Sequence, residues 1–287
     1  MSIAGSDPSG GAGIQADLKT FTAIGVYGAA AITCLTAQNS RGVFASLPLE
    51  PEFVRRQVEL VLADLPVSHV KTGMLGTSGI ALAIVRALGD FSGEVICDPV
   101  LRASDGHPLF TVADQGTGLQ VLLERATVLT PNLPELAELA AVPTESIATL
   151  PEALEAAASL LDRYGNLRAV VLTGGHLPEE EAEVVVDSLI LRGRGRGGRE
   201  IFSARHQRIR TTNTHGTGCT FASAFTAYHL LDNNDRAAFA RAAAFMDQVV
   251  RKSAGLALGR GKGPLAHHLF REQEEPLPLL PGPGRNS

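Results

Sequence analysis

Residues 211–225, TTNTHGTGCTFASAF, set two glycines and a cysteine directly ahead of a helix-forming run of small residues. The first amides of a helix lack intrahelical partners, and the helix dipole favours negative charge beside them. Gly216 and Gly218, with Thr217 between them, let that backbone close on an anion with no Cβ in the way. Cys219 falls at the same positive end, where a thiol loses its proton more readily. Three readings of Cys219 stand: a buried packing cysteine, a nucleophile, or a thiolate serving as general base beside an anion hole. A nucleophile would want His215 as its base, and no third, orienting group is apparent in the sequence.

A second glycine-rich turn, GSDPSGGAGIQAD (5–17), also feeds a helical pattern. Gly11, Gly13 and Ala16 satisfy the dinucleotide fingerprint G-x-G-x-x-A, yet residues 18–49 contain no Asp or Glu to hold a ribose hydroxyl. Nicotinamide chemistry is therefore disfavoured. Asp17 reads as a solvated carboxylate or as a substrate hydrogen-bond acceptor. The chain has no G-x-x-x-x-G-K-[ST], and GRGKGP (259–264) does not supply one. A nucleotide would have to be held another way, with the 216–219 loop as the candidate. Asp98 closes one strand-like run, Asn132 and Glu135 follow another in TPNLPE, and Thr173, Gly174, Gly175 and His176 follow a third. Taken singly, each is an ordinary turn or cap. Together they fall where open α/β sheets bind ligands, beyond the carboxyl ends of the strands.

The elements that would position these groups alternate almost throughout. Residues 27–37, 67–71, 94–98, 127–131 and 168–174 read as strands. GIQADLKTFTAIG, EPEFVRRQVELVLADL and GIALAIVRALG carry apolar residues at helical spacing between them. This pattern predicts one α/β domain with a mainly parallel sheet and helices on both faces. A hairpin-like pair near 183–210, joined through LRGRGRGGRE with solvated arginines, adds an antiparallel edge, and two helices follow at 218–232 and 235–254. The Pro-rich residues 271–287 read as a loosely ordered tail. Of the 287 residues, 45% are hydrophobic and 19% charged, enough for a substantial aliphatic core. The net charge of −5 gives no electrostatic case for nucleic acid or an anionic membrane. No apolar run reaches membrane-spanning length, and the first residues lack a basic leader and apolar h-region. Cys34, Cys97 and Cys219 are odd in number and widely spaced, which suits neither a disulfide framework nor a zinc site. A reducing cytoplasm is the expected setting.

The segments IAGSDPSGGAGIQADLKTF, TAQNSRGV, KTGMLG, DPV, TPNLPE, GGHL and NTHGTGCTFASA, in this order, closely resemble the hydroxymethylpyrimidine/phosphomethylpyrimidine kinases of thiamine biosynthesis. These are members of the ribokinase-like superfamily, and the likeness runs from residue 3 to about 268, ending in GKGPLAHHLF. The resemblance implies a three-layer αβα kinase domain over residues 1–270. It also implies phosphorylation of 4-amino-5-hydroxymethyl-2-methylpyrimidine and then of its monophosphate, with Mg²⁺ and ATP as phosphoryl donor. Some pyridoxal kinases share this branch and its cysteine, so pyridoxal or pyridoxine is the rival substrate. By family likeness Gly216, Thr217, Gly218 and Cys219 form the anion hole and base. Gly5, Asp17 and Gln38 hold the aminopyrimidine, and Thr36 and Met74 line its pocket. Asn132, Glu135, Thr173 and Gly175 serve the nucleotide, Asp98, Asn132 and Glu135 the metal. Thr173 stands where many relatives carry a lysine. The resemblance further implies a homodimer.

Overall fold

The computed structural model describes residues 1–102, 106, 109–110, 118–176, 183–193, 198–271 and 280–281. Its parallel strands are short and rich in Val, Ile, Leu and Ala, the composition of strands covered on both faces. They are β1 (Ser2–Ser6), β2 (Ala30–Asn39), β4 (His69–Thr72), β5 (Glu94–Cys97), β6 (Val128–Leu129) and β7 (Ala169–Leu172). Antiparallel strands flank them: β3 (Gly42–Pro48) beside β2, then β8 (Val184–Arg192), β9 (Arg199–Gln207) and the two-residue β10 (Leu280–Pro281) beyond β7. The sheet order is β10-β9-β8-β7-β6-β5-β4-β1-β2-β3.

Alternate residues of each strand feed two cores. On one face Ile3, Val70, Val95, Leu129 and Val170 pack with residues of α2 (Pro51–Asp64), α3 (Ser78–Ala87), α4 (Gly118–Arg125), α5 (Leu133–Ala140) and α6 (Leu150–Arg163). On the other, Ile96, Val128, Ala169 and Val171 pack with α1 (Gly13–Ile24), α7 (Thr217–Asp232) and α8 (Asp235–Ser253). The result is the expected three-layer αβα arrangement. Helix α7 is buried on every side from Thr220 to His229, which its small residues permit.

Two details depart from the sequence reading. An antiparallel edge occurs on both sides of the sheet, because β3 pairs back onto β2. Strand β3 shows little apolar alternation, since most of it is exposed and no core enforces the pattern. Strand β2 also continues to Asn39, so Thr36 and Gln38 lie on a projecting strand. The tail expected at 271–287 lies outside the described residues apart from Arg271 and β10, as do residues 194–197 of the arginine-rich connection.

Candidate active site

The carboxyl ends of β1, β4, β5, β6 and β7 share one edge, and the N-terminus of α7 meets them there. Helix α5 begins with a reciprocal Asn132/Glu135 capping box, whereas α7 begins at Gly216 with no side-chain cap and no acidic residue in its first turn. Gly216 has φ +84°, and a Cβ there would stand 1.8 Å from the Gly11 carbonyl oxygen. Glycine is thus required for the two glycine-rich loops to touch. A Cβ on Gly218 would meet nothing within 4 Å. Thr217 N reaches back to the Thr214 carbonyl at 3.4 Å, and at Gly218 the first turn of α7 turns its backbone to open space, the arrangement an anion needs.

Directly below lies a buried charge cluster. Lys71, the fully buried third residue of β4, places Nζ 3.1 Å from Asp17 Oδ1 and 3.4 Å from Asp98 Oδ2. Burial pulls the lysine pKa down, but the charges of Asp17, Cys219 and Asp98 outweigh it and raise the net value. Asp17 also accepts from Ser2 Oγ at 2.6 Å and Ser223 Oγ at 2.7 Å. The expected role of Asp17 as a pyrimidine acceptor is corrected by this placement. Its side chain is wholly buried and its oxygens are occupied by protein donors. It anchors Lys71 instead.

Cys219 joins the same cluster, with the Gly13 amide directed at its sulfur. Burial pushes the thiol up to about 12, against the opposing pull of Lys71. The expectation of a thiol made acidic by the helix terminus is not met in the resting protein, because desolvation and the carboxylates Asp98 and Asp17 outweigh the favourable charge.

Asp98 and Glu135 are buried carboxylates raised first by burial, Glu135 to about 8 with the charge of Asp98 adding to it. Asp98 Oδ2 faces Lys71 Nζ at 3.4 Å but makes no hydrogen bond. Hard, mutually repelling carboxylate oxygens, one of them held by an ion pair alone, suit Mg²⁺, which keeps several waters and binds through one or two carboxylates plus phosphate. Among the described residues no group of three or more His, Cys, Asp or Glu forms a protein cage, consistent with that mode. Asn132 Oδ1 accepts from the Glu135 amide at 3.0 Å, so this oxygen serves the α5 cap. Thr173 follows β7; Gly174 donates from its amide to Asp187 Oδ1 at 2.9 Å, and Gly175 faces open space.

Beside this cluster, Gly5 abuts Met74, where a Cβ would come within 2.9 Å of Sδ. Thr36 Oγ1 donates to the Ser6 carbonyl at 3.0 Å and lies 3.1 Å from the Gln38 amide. Gln38 reaches His215 Nε2 at 3.1 Å, and that nitrogen is 2.8 Å from Asp7 Oδ2. The structure thus brings Gly5, Thr36, Gln38 and Met74 to one side of the α7 terminus, and Asp98, Asn132 and Glu135 to strand ends nearby. Lys71, and Asp7 as the orienting partner of His215, are absent from the candidate residues of the sequence reading. Lys71 was readable as a charge closing an apolar strand, whereas the Asp7–His215 contact spans 208 positions and leaves no local signal.

Residues 7–266 match the family model described as phosphomethylpyrimidine kinase. The hydroxymethylpyrimidine/phosphomethylpyrimidine kinase of Escherichia coli K12 is 39% identical over 268 residues, covering 93% of this chain and 96% of that protein. The crystal structure of phosphomethylpyrimidine kinase from Clostridium difficile 630 superposes with a TM-score of 0.72 at 32% identity, over 87% of this chain and 97% of that one. Pyridoxal kinase from Staphylococcus aureus, in complex with AMP-PCP and pyridoxal, gives a TM-score of 0.80 at 27% identity, over 98% and 97% of the two chains. With the uncapped α7 terminus, the acidic strand ends and these likenesses together, the chain belongs to the phosphomethylpyrimidine kinase family.

Proposed function

We propose that the protein transfers the terminal phosphoryl group of ATP to the hydroxymethyl group of 4-amino-5-hydroxymethyl-2-methylpyrimidine, and then to the resulting monophosphate. The observation that carries this reading is the N-terminus of α7, with no side-chain cap, opening beside Gly5, Thr36, Gln38 and Met74, in a chain of this family. The kinase relatives, and the neighbour that holds AMP-PCP, support ATP as donor.

Phosphoryl transfer through a loose transition state asks for position and charge rather than covalent chemistry. The amides at the start of α7, opened by Gly216 and Gly218, would hold charge developing on the transferred group. Asp98 and Glu135 would hold Mg²⁺, which neutralises phosphate charge when bound. Asn132 orients Glu135 through the α5 cap, and Thr173 and Gly175 present backbone to the nucleotide. Thr217 keeps the loop short between its glycines. Cys219 would take the substrate hydroxyl proton at Sγ, which requires that the resting thiol first lose its own; Lys71 is the charge that favours the thiolate.

A second reading rests on the pyridoxal-bound neighbour, whose fold spans 98% of this chain. ATP consumption with the pyrimidine alcohol, its monophosphate, pyridoxal and pyridoxine decides between them. Turnover of both pyrimidines is expected; turnover of pyridoxal alone would replace this reading with the second.

A further inference from the structure

The Asp7 carboxylate is the hub of the first glycine-rich loop. Oδ1 accepts from Ser9 N at 2.8 Å and Ser9 Oγ at 2.7 Å, and Oδ2 from Gly11 N at 3.1 Å and Ala12 N at 2.9 Å. Burial alone would push this group up, but the bonds from His215 and Ser9 bring it down to about 2, so it is ionised at neutral pH. An ionised carboxylate only accepts. His215 Nε2, 2.8 Å from Oδ2, therefore carries a hydrogen. The ring has little freedom to turn away: a Cβ on Gly11 would lie 2.3 Å from its Cδ2, and its backbone bridges to Pro264.

The same Nε2 stands 3.1 Å from one end of the Gln38 amide, and the other end is 3.1 Å from Thr36 Oγ1. An NH₂ against His215 would set two donors face to face. An unprotonated Nε2 would instead set a lone pair against the Asp7 carboxylate. Amide oxygen and nitrogen are alike in shape, so the bonding network assigns them. With the oxygen toward His215 no two like groups face each other across Nε2–H: the oxygen shares that hydrogen, at 3.1 Å, with Asp7 Oδ2 at 2.8 Å, and NH₂ donates one hydrogen to Thr36 Oγ1. Thr36 in turn donates to Ser6. The second amide hydrogen remains for the pocket.

We infer that Asp7 and His215 are positioning residues that fix Gln38 as a hydrogen-bond donor toward the substrate ring, selecting a ring nitrogen beside the amino group. The inference rests on the pyrimidine reading for its substrate and on the bonding network alone for the amide orientation.

Two measurements test it. Long-range ¹H–¹⁵N NMR of the free wild-type protein should show His215 protonated at Nε2; a ring protonated only at Nδ1 overturns the inference, whatever the substrate proves to be. In kinetics, His215→Phe should raise KM for the pyrimidine alcohol roughly tenfold, with kcat and the KM for ATP within about twofold. An analogue with CH in place of the ring nitrogen beside the amino group should cost the wild type a similar factor and cost His215→Phe little more. Equal KM increases for the alcohol and the analogue in His215→Phe would mean that the ring only shapes the loop, and would overturn it. Failure of the wild type to phosphorylate any pyrimidine instead removes the substrate reading, leaving the protonation of Nε2 as the deciding measurement.

Discussion

Cys219 carries the sharpest chemical demand in the molecule, since its thiol is held near 12 while its proposed task needs a thiolate. If the free-enzyme thiolate is the base, its population rises with pH throughout the neutral and alkaline range. The kcat/KM for the pyrimidine alcohol should then climb about tenfold per pH unit between pH 7 and 9, because this ratio reports free-enzyme ionisations. A flat profile would assign proton acceptance elsewhere. Cys219→Ser should lower turnover by ~10²–10⁴, and Cys219→Asp should recover part of that and flatten the profile. Asp17 makes the opposite kind of prediction. Its removal leaves Lys71 buried with only Asp98 at 3.4 Å. Asp17→Ala should therefore cost about 3 kcal/mol of stability or more in urea unfolding. Unchanged stability with a selective loss of pyrimidine binding would restore the direct substrate contact. The residue types at both positions were legible in the sequence; the raised thiol of Cys219 and the buried partners of Asp17 were not. Burial and the approach of β4, β5 and α7 set both, and these elements meet only in the fold.

Helix α7 shows how one element joins stability to function. At its N-terminus the two glycines differ. Gly216→Ala forces a positive φ and a clash with Gly11, and should destabilise by about 2 kcal/mol or more. Gly218→Ala meets open space and should fold at least as well, yet its methyl enters the anion cradle. Turnover should fall on the order of 10²-fold, the scale of an anion-hole donor. Equal activity would place the phosphoryl group elsewhere. Toward the other end of α7, His229 Nδ1 meets His69 Nε2 at 2.9 Å, and Arg168 donates to His229 Nε2 at 3.0 Å. This chain of bonds is satisfied only with both rings neutral. Burial lowers both histidines, His69 to about 4. Each folded-state value lies below the unfolded one, so the unfolded chain binds more protons and stability falls as pH drops from about 6.5 toward 4. Urea unfolding at pH 7.5 and 4.5 should show a loss on the order of 1 kcal/mol, solvent screening allowed for, that His69→Gln removes. The span and burial of α7 were readable from its run of small residues. Its tie to β4 was not, because the two histidines are 160 positions apart.

For the whole molecule, the parallel sheet followed from alternation and its candidate ligand edge was proposed from motif placement, whereas strand β3 escaped because it lacks a core to impose a pattern. That same exposure bears on assembly. Strand β3 ends the sheet, and the cross-strand pair Leu35 and Leu47 is exposed, as are Phe44 and, on α2, Phe53. An unpaired edge strand flanked by exposed apolar side chains is a liability in a monomer and a natural meeting place for two copies. We propose that the homodimer implied by the resemblance meets at the β2–β3 edge. Strand β2 carries Thr36 and Gln38 just beyond Leu35, so a second copy seated there would also stiffen the strand proposed to hold the substrate ring. In sedimentation velocity the wild type should run as a dimer and the double variant Leu35→Glu, Leu47→Glu as a folded monomer. The monomer should show a raised KM for the pyrimidine alcohol and little change for ATP, whose proposed residues lie at other strand ends. A wild type that sediments as a monomer, or a double variant that remains dimeric, would remove this edge from the assembly.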